Sequence, residues 1–439
     1  MRKYIIRRLL LMPVTLAGIT FVVFLMTRLV PGGPVERMMQ EQAIAALSGE
    51  KASGQAEIGM SDESIERLEE MFNLRLPVWK AYLQWLGLMP QKVDISKAEF
   101  GEDGCAYVTL PGPKGHAVVV EVQRDGFNGQ YRQEDWMRRQ RWHLTVESPR
   151  TRALQWAERH GVTDEQAITE KENQLPWRAV FFHRRFCGLL QGDLGVSYKY
   201  NEPVGRMMMS RLPVSLYLGL LAACITYAVS IPLGMLKALK HRSWFDSVSS
   251  VLIFIGFAVP GFALGALLLV YFGARLEWFP LYGLTGPGFD HMSFWEKCRD
   301  LAAHTVLPLS CYVISSFAMA TMLMKNSLME NMSSDYVRTA VAKGVSYRRA
   351  MWSHAFRNSV IPLVSTLGGV FCSVFCGSLL IERVFDIQGF GLLSFQALVD
   401  KDYSLIMGTL LVSSVLIIVG NVVSDILVAY VDPRIKFDK

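Results

Sequence analysis

The stretch from Val251 to Phe272, VLIFIGFAVPGFALGALLLVYF, holds fourteen Val, Ile, Leu or Phe residues and no charge. About 20 consecutive apolar residues are what a helix needs to cross the hydrocarbon core of a bilayer. Near a helix centre these side chains favour insertion by on the order of −4 to −8 kcal/mol, whereas one central Arg costs only about +3 kcal/mol. The run therefore reads as the body of a membrane span from about Val248 to Phe272. Working outward, five similar runs cover about Leu9–Thr27, Leu212–Leu236, Thr305–Met324, Ser359–Ile381 and Leu405–Tyr430. The whole chain, 439 residues, is 51% hydrophobic and 19% charged, against roughly 25% charged in an ordinary soluble domain. These features predict an all-α polytopic membrane protein with six transmembrane helices.

Charge bias then orients the spans. Arg2, Lys3, Arg7 and Arg8 precede the first, and Lys237, Lys240 and Arg242 follow the second. Lys325, Arg338, Lys343, Arg348, Arg349 and Arg357 lie between the fourth and fifth, and Arg434, Lys436 and Lys439 follow the last. Six spans put all four groups on one side, the positive-inside pattern, so both termini are expected in the cytoplasm. Positive residues followed by an apolar run also describe a secretory signal. Here the run is near 20 residues, no A-x-A-like site follows, and Pro31-Gly32-Gly33-Pro34 comes next, so an uncleaved first span is expected. Net charge is +6, but the basic residues flank apolar runs instead of forming one patch with aromatics, which argues against nucleic-acid binding.

Between the first two spans lies a segment far longer than a usual connection. It holds Trp79, Trp85, Trp136, Trp142, Trp156 and Trp177, an aromatic content that disordered linkers lack. Strand-like alternation at His116–Gln123 and Arg141–Glu147, with helical patterns at Ser61–Phe72, Thr151–His160 and Asp164–Asn173, predicts a small α+β extracytoplasmic domain with its core at about 87–177. No catalytic motif is visible in it: His116, His143, His160 and His183 lack metal-ligand spacing and there is no G-x-S-x-G. Neither a catalytic nor a metal site is expected. Cys105 and Cys187 could pair in an oxidising compartment, while Cys372 and Cys376, at i and i+4 in an apolar run, read as packing.

The loop between the fourth and fifth spans carries the functional signal. Ser334 or Asp335 can cap a short helix, Tyr336–Lys343; Gly344 stands where a helix end wants a left-handed residue; Ser346 can cap a second helix, Tyr347–Asn358. Two short basic helices joined through one Gly suit docking into a groove of a partner. A basic loop that only sets topology is the plainer reading of the same spacing.

Tyr336-Val337-Arg338-Thr339-Ala340-Val341-Ala342-Lys343-Gly344, then Arg357-Asn358 and Ile361-Pro362, resembles the E-A-A loop of ABC importer permeases, with Arg338 where the general pattern has Glu. The departure fits the oligopeptide and dipeptide branch. Arg7-Arg8-Leu9-Leu10, Gly192-Asp193-Leu194-Gly195, Arg211-Leu212-Pro213-Val214-Ser215, Ile381-Glu382-Arg383-Val384-Phe385 through Gly391, and Asp432-Pro433-Arg434 are similar to the first, B-type permease of that branch. Met322–Ser327 is most similar to Yej-type importers of oligopeptides and microcin C-class peptides. The resemblance implies an ABC type-1 permease fold over 211–431, with 1–30 as the first helix and its tip, 31–210 as the extracytoplasmic region, 325–358 as the coupling loop and 432–439 as a cytoplasmic tail. It implies that Tyr336, Val337, Arg338, Thr339, Ala340, Lys343 and Gly344 couple to an ATPase. It also implies that Glu382, Phe385, Gly389 and Gly391 form a turn near the outer mouth. About 90 residues before Gly192 have no counterpart in the general family and read as an insertion.

The implied partners are a second homologous permease, two ABC ATPases, an extracytoplasmic solute-binding protein and a peptide substrate, in a bacterial inner membrane. No G-x-x-x-x-G-K-[ST] occurs, so no cofactor is expected on this chain, ATP and Mg being held by the ATPases. The chain is then a transporter subunit and no enzyme. A nickel or metal-chelate permease, with His304 as the candidate residue, and a sensor or enzyme working through the insertion are the alternatives. Gly261 and Gly265 make a G-x-x-x-G contact, with a permease–permease interface one candidate for it. Pro260 is expected to kink its span, and Asn421 and Asp425 to bond between helices.

Overall fold

The computed structural model describes residues 2–29, 66, 69–70, 74–112 and 116–431. It divides into two compact units, Met1–Leu29 with Leu194–Lys439, and Val30–Asp193. The expected helix at Ser61–Phe72 and the tail at 432–439 fall largely or wholly outside the described residues.

The chain begins with helix α1 (Arg2–Leu29). The Val30–Asp193 unit follows, with α2 (Val78–Trp85), β1 (Gln91–Glu99), β2 (Cys105–Pro111), β3 (Ala117–Asp125), β4 (Asn128–Tyr131), α3 (Asp135–Gln140), β5 (Trp142–Glu147), α4 (Pro149–His160), α5 (Glu165–Gln174) and β6 (Arg178–Arg185). Two antiparallel three-stranded sheets form, in the orders β1-β6-β5 and β2-β3-β4. Val108, Leu110, Val122, Met137, Trp142 and Phe181 make their shared core. The strands and helices expected at 116–123, 141–147, 151–160 and 164–173 are present. The domain runs past the expected edge at Trp177, because β6 is the central strand of its sheet. A buried Arg178 guanidinium bonds Glu66 and Glu147. Cys105 and Cys187 are free thiols, as are the other five cysteines.

The second unit is helical. After α1 it comprises α6 (Val204–Leu239), α7 (Trp244–Ala258), α8 (Gly261–Leu268) continuing as a π turn to Arg275, and α9 (Phe294–Ser333). Then come α10 (Asp335–Ala342), α11 (Tyr347–Ala350), a π turn (Met351–Ala355), α12 (Phe356–Ser359), α13 (Ile361–Cys376), α14 (Leu379–Val384), α15 (Phe390–Asp400) and α16 (Tyr403–Val431). Among the described residues five helices are long and apolar enough to span a bilayer, and six if α7 with the α8 segment counts as one. The six expected runs all lie in these helices, though the second begins earlier, at Val204.

Pro260 does more than kink. α7 and the α8 segment meet at 90°. Proline lacks the N–H that would continue the helix and drives its predecessor extended; Val259 indeed has φ −85° and ψ 122°. Pro213, Pro232 and Pro308 are carried inside α6 and α9 without such a break. Just past the bend, a Cβ on Gly261 would stand 2.4 Å from Ser315 Oγ, and one on Gly265 3.0 Å from Phe385. This G-x-x-x-G pair makes its close approach to α9 and to Ile381 and Phe385 of the same chain. A second small-residue crossing, at Gly368 and Gly420, brings α13 against α16: a Cβ on Gly420 would lie 2.5 Å from Gly368 O.

Candidate functional site

The segment between α9 and α13 folds into a platform of two short helical pieces. Ser334, one of the two expected caps, sits at the N-cap of α10, and the helix starts at Asp335, one residue earlier than expected; the Ser334 hydroxyl turns back to donate to Asn331 O. At the other end Gly344 has φ +91°. Its N–H bonds Val341 O at 2.9 Å and the Val345 N–H bonds Ala340 O at 3.2 Å, a Schellman end that satisfies the orphan carbonyls. Ser346 accepts from Arg349 N and starts the second piece.

Val337 anchors the platform. It is 1% exposed and packs with Met324 and Leu328 of α9, Met235 of α6, Ala350, Met351, Ala355 and Leu363. Burying such a side chain is worth about 1.5–3 kcal/mol. Tyr336 fastens the same end: its hydroxyl donates to Asn331 Oδ1 at 2.8 Å and accepts from Asn358 Nδ2 at 3.0 Å. Arg338, Thr339, Lys343 and Gly344 face solvent, with Ala340 half-buried. Of the residues read as one contact set, Val337 thus faces inward and serves as the anchor. Tyr347 and Trp352 are also exposed. Residues 335–359 carry five Arg or Lys and one acid, Asp335, giving an open surface that is basic and aromatic.

Behind this platform is a buried ionic cluster that a reading of the sequence for topology misses. Lys237 and Lys325, counted as topology signals, are instead interior side chains. Both bond Asp246, in the first turn of α7: Lys237 Nζ at 3.1 Å and Lys325 Nζ at 2.7 and 2.9 Å. Lys237 Nζ also reaches Asp246 O, Ser249 Oγ and Ser250 Oγ at 2.7–2.9 Å. A lone acid in the first turn of an apolar helix, with lysines at the ends of two neighbouring runs, is the signal that could have shown it.

The Glu382–Gly391 turn is no open loop. Glu382 is fully buried, held by Ser215 Oγ (2.9 Å), Tyr312 OH (3.3 Å) and the Leu392 amide (2.8 Å). Three glycines leave room for its carboxylate. A Cβ on Gly377 or Gly389 would fall within 2.4 Å of a Glu382 oxygen, and one on Gly391 at 3.0 Å from its carboxyl carbon. Phe385 is buried against α6, α8 and α9. Glu382 and Phe385 thus fasten the turn from within.

Several other polar residues in and beside the helices are paired. Asp425 meets Arg8 of α1 at 2.5 Å, and Ser424 Oγ bonds the Val364 and Ser365 carbonyls. Ser197 Oγ donates to buried Asp402 at 2.5 Å, while Lys199 pairs with Asp400. His304 Nδ1 is engaged with Asp300 O at 2.8 Å. Among the described residues no three His, Cys, Asp or Glu side chains group to hold a metal.

Comparison with known proteins follows these regions. The family described as a binding-protein-dependent transport system inner membrane component matches residues 230–437, which include the platform, the ionic cluster and Glu382. The peptidoglycan transport system permease protein YejB of Agrobacterium fabrum is 33% identical, over 100% of this chain and 99% of the relative. The inner membrane ABC transporter permease protein YejB of Escherichia coli O157:H7 is 33% identical over 100% of both. The oligopeptide transport system permease protein AppB of Bacillus subtilis is 32% identical over 64% of this chain and 84% of its own length. The two end-to-end matches cover the inserted unit too, so in those relatives it is shared.

Proposed function

Because the chain belongs to the family of binding-protein-dependent transport system inner membrane components, we propose that it is the permease subunit of an ATP-driven peptide importer. It is a multi-pass inner membrane transport subunit, not an enzyme, and its family implies ATPase and binding-protein partners. In our reading a second, homologous permease completes the path as a heterodimer, two ATPases dock from the cytoplasm and hold ATP and Mg, and both termini are cytoplasmic. Binding protein delivers peptide from the other side.

The observation that carries this reading is the basic platform with its inward anchor. Val337 and Tyr336 fix α10 to α9, while Arg338, Thr339 and Lys343 stay open to a partner. Such an element transmits a push: a partner that closes on the exposed face moves α9 through Val337, and the spans rock about the path. The metal-chelate alternative is not favoured, since the Agrobacterium fabrum and Bacillus subtilis relatives are named for peptidoglycan and oligopeptide transport and His304 is occupied by Asp300. Nor is a sensor or enzyme role for the inserted unit, which YejB relatives named as permeases share.

Partner identification tests the reading. The chain is tagged at its C-terminus, extracted in mild detergent and pulled down, and co-eluting proteins are identified by mass spectrometry. A second polytopic permease and a P-loop ATPase are expected. Elution alone would overturn the coupling role of residues 335–344.

A further inference from the structure

Resting on that reading but going beyond it, we propose that Lys325 is a releasable latch, docked on Asp246 here and withdrawn to water when the platform is pushed. The two lysines on Asp246 are not equivalent. Lys237 Nζ has four partners on α7, namely the Asp246 carboxylate and carbonyl, Ser249 Oγ and Ser250 Oγ, and its side chain is 0% exposed. Lys325 Nζ bonds only the Asp246 carboxylate among the described residues, and its side chain is 11% exposed.

One carboxylate between two ammonium groups leaves the docked cluster with a surplus positive charge. Breaking an ordinary buried pair is costly because it strands a charge. Here withdrawal of Lys325 strands none: Asp246 keeps Lys237 and the Arg242 amide at 3.2 Å, and the freed ammonium can reach the headgroups on its own stem. Docked and released states are thereby brought close in free energy, which a two-state element requires. Lys325 is also where the push arrives. Its neighbours on α9, Met324 and Leu328, share one buried cluster with Val337. Asp246 sits at the start of α7, which runs to the break at Pro260. Lys325 is thus a positioning residue between the ATPase-facing platform and the bent helix.

The test uses inverted membrane vesicles holding the assembled transporter. A membrane-impermeant amine-acylating reagent is added with and without ATP plus vanadate, and modified lysines are located by mass spectrometry. Modification of Lys325 is expected to rise at least about fivefold with nucleotide, the lower end of typical coupling, while Lys237 stays protected. In reconstituted vesicles Lys325→Met should lower peptide transported per ATP hydrolysed with the amount of complex unchanged, and Lys325→Arg should restore it. Unchanged Lys325 labelling, or labelling of Lys237 in step, overturns the latch when a co-purifying ATPase hydrolyses ATP. Failure of any ATPase to co-purify overturns the importer reading, and the latch with it.

Discussion

Ser215 Oγ lies 2.9 Å from a carboxylate oxygen of Glu382 and 2.7 Å from the Phe390 amide nitrogen. One hydroxyl therefore donates to the acid at α14 and accepts from the first turn of α15, tying both to α6. Replacing it with Ala withdraws a partner from two buried groups at once, at a cost of about 1–3 kcal/mol. Ser215→Ala should lower the thermal midpoint of the purified protein in detergent by several degrees. A midpoint equal to wild type would mean that the remaining donors to Glu382 suffice.

Two glycines matter for opposite reasons. Gly389 has φ −100°, which any residue adopts, but a Cβ there would lie 2.4 Å from Glu382 Oε2. Gly344 has φ +91° and nothing within 4 Å of a Cβ, so its cost is backbone alone, about 1–2 kcal/mol. Gly344→Asn should therefore retain more uptake than Gly344→Leu or Gly344→Val, since Asn tolerates the left-handed region, and Gly344→Leu should uncouple hydrolysis from uptake. Assays of labelled peptide uptake against ATP hydrolysis decide it: equal uptake in all three variants would show that the Schellman turn is dispensable.

Acid should loosen the inserted unit in a defined window. Burial by itself raises the Glu66 carboxyl, but the Arg178 hydrogen bond and the Lys97 charge outweigh it and hold the group down to about 2. A depressed carboxyl stabilises the fold fully above its ordinary value, 4.5, and loses that contribution as pH falls toward 2. Near-UV circular dichroism of the full chain should show tertiary signal lost over that interval, and Glu66→Gln should flatten the dependence. The same slope in that variant would place the acid sensitivity elsewhere.

The Arg8–Asp425 pair predicts non-additivity. Residues in contact show interaction energies of about 0.5–3 kcal/mol in a double-mutant cycle. Asp425→Asn and Arg8→Met should each reduce the yield of folded protein in the membrane, and the combination should be milder than their sum. Strict additivity would mean that the two side chains do not stabilise one another.

What the sequence discloses is mostly local. Gly344 is readable because a helix end depends on the residues beside it, and the apolar runs because span length depends on the bilayer alone. β1 escapes notice since Asp94, with φ 55°, sits in a register shift between Val93 and Ser96 that breaks the two-residue alternation. β6 escapes because its first five residues are all buried, leaving no alternation. The inward turn of Val337, the cage around Glu382 and the sharing of Asp246 by two lysines each join residues far apart in the chain. Residue types at these positions are visible in advance; their partners are set only when α6, α9 and α13 pack.

The pairing of Arg8 with Asp425 has a consequence for biogenesis. The arginine leaves the ribosome first and its partner almost last, so the opening helix must wait in the bilayer, its guanidinium held near the headgroups, while nearly the whole polypeptide is translated. Only then can the two ends of the chain meet. Until α16 has been made, Arg8 lacks the carboxylate that it meets in the folded chain.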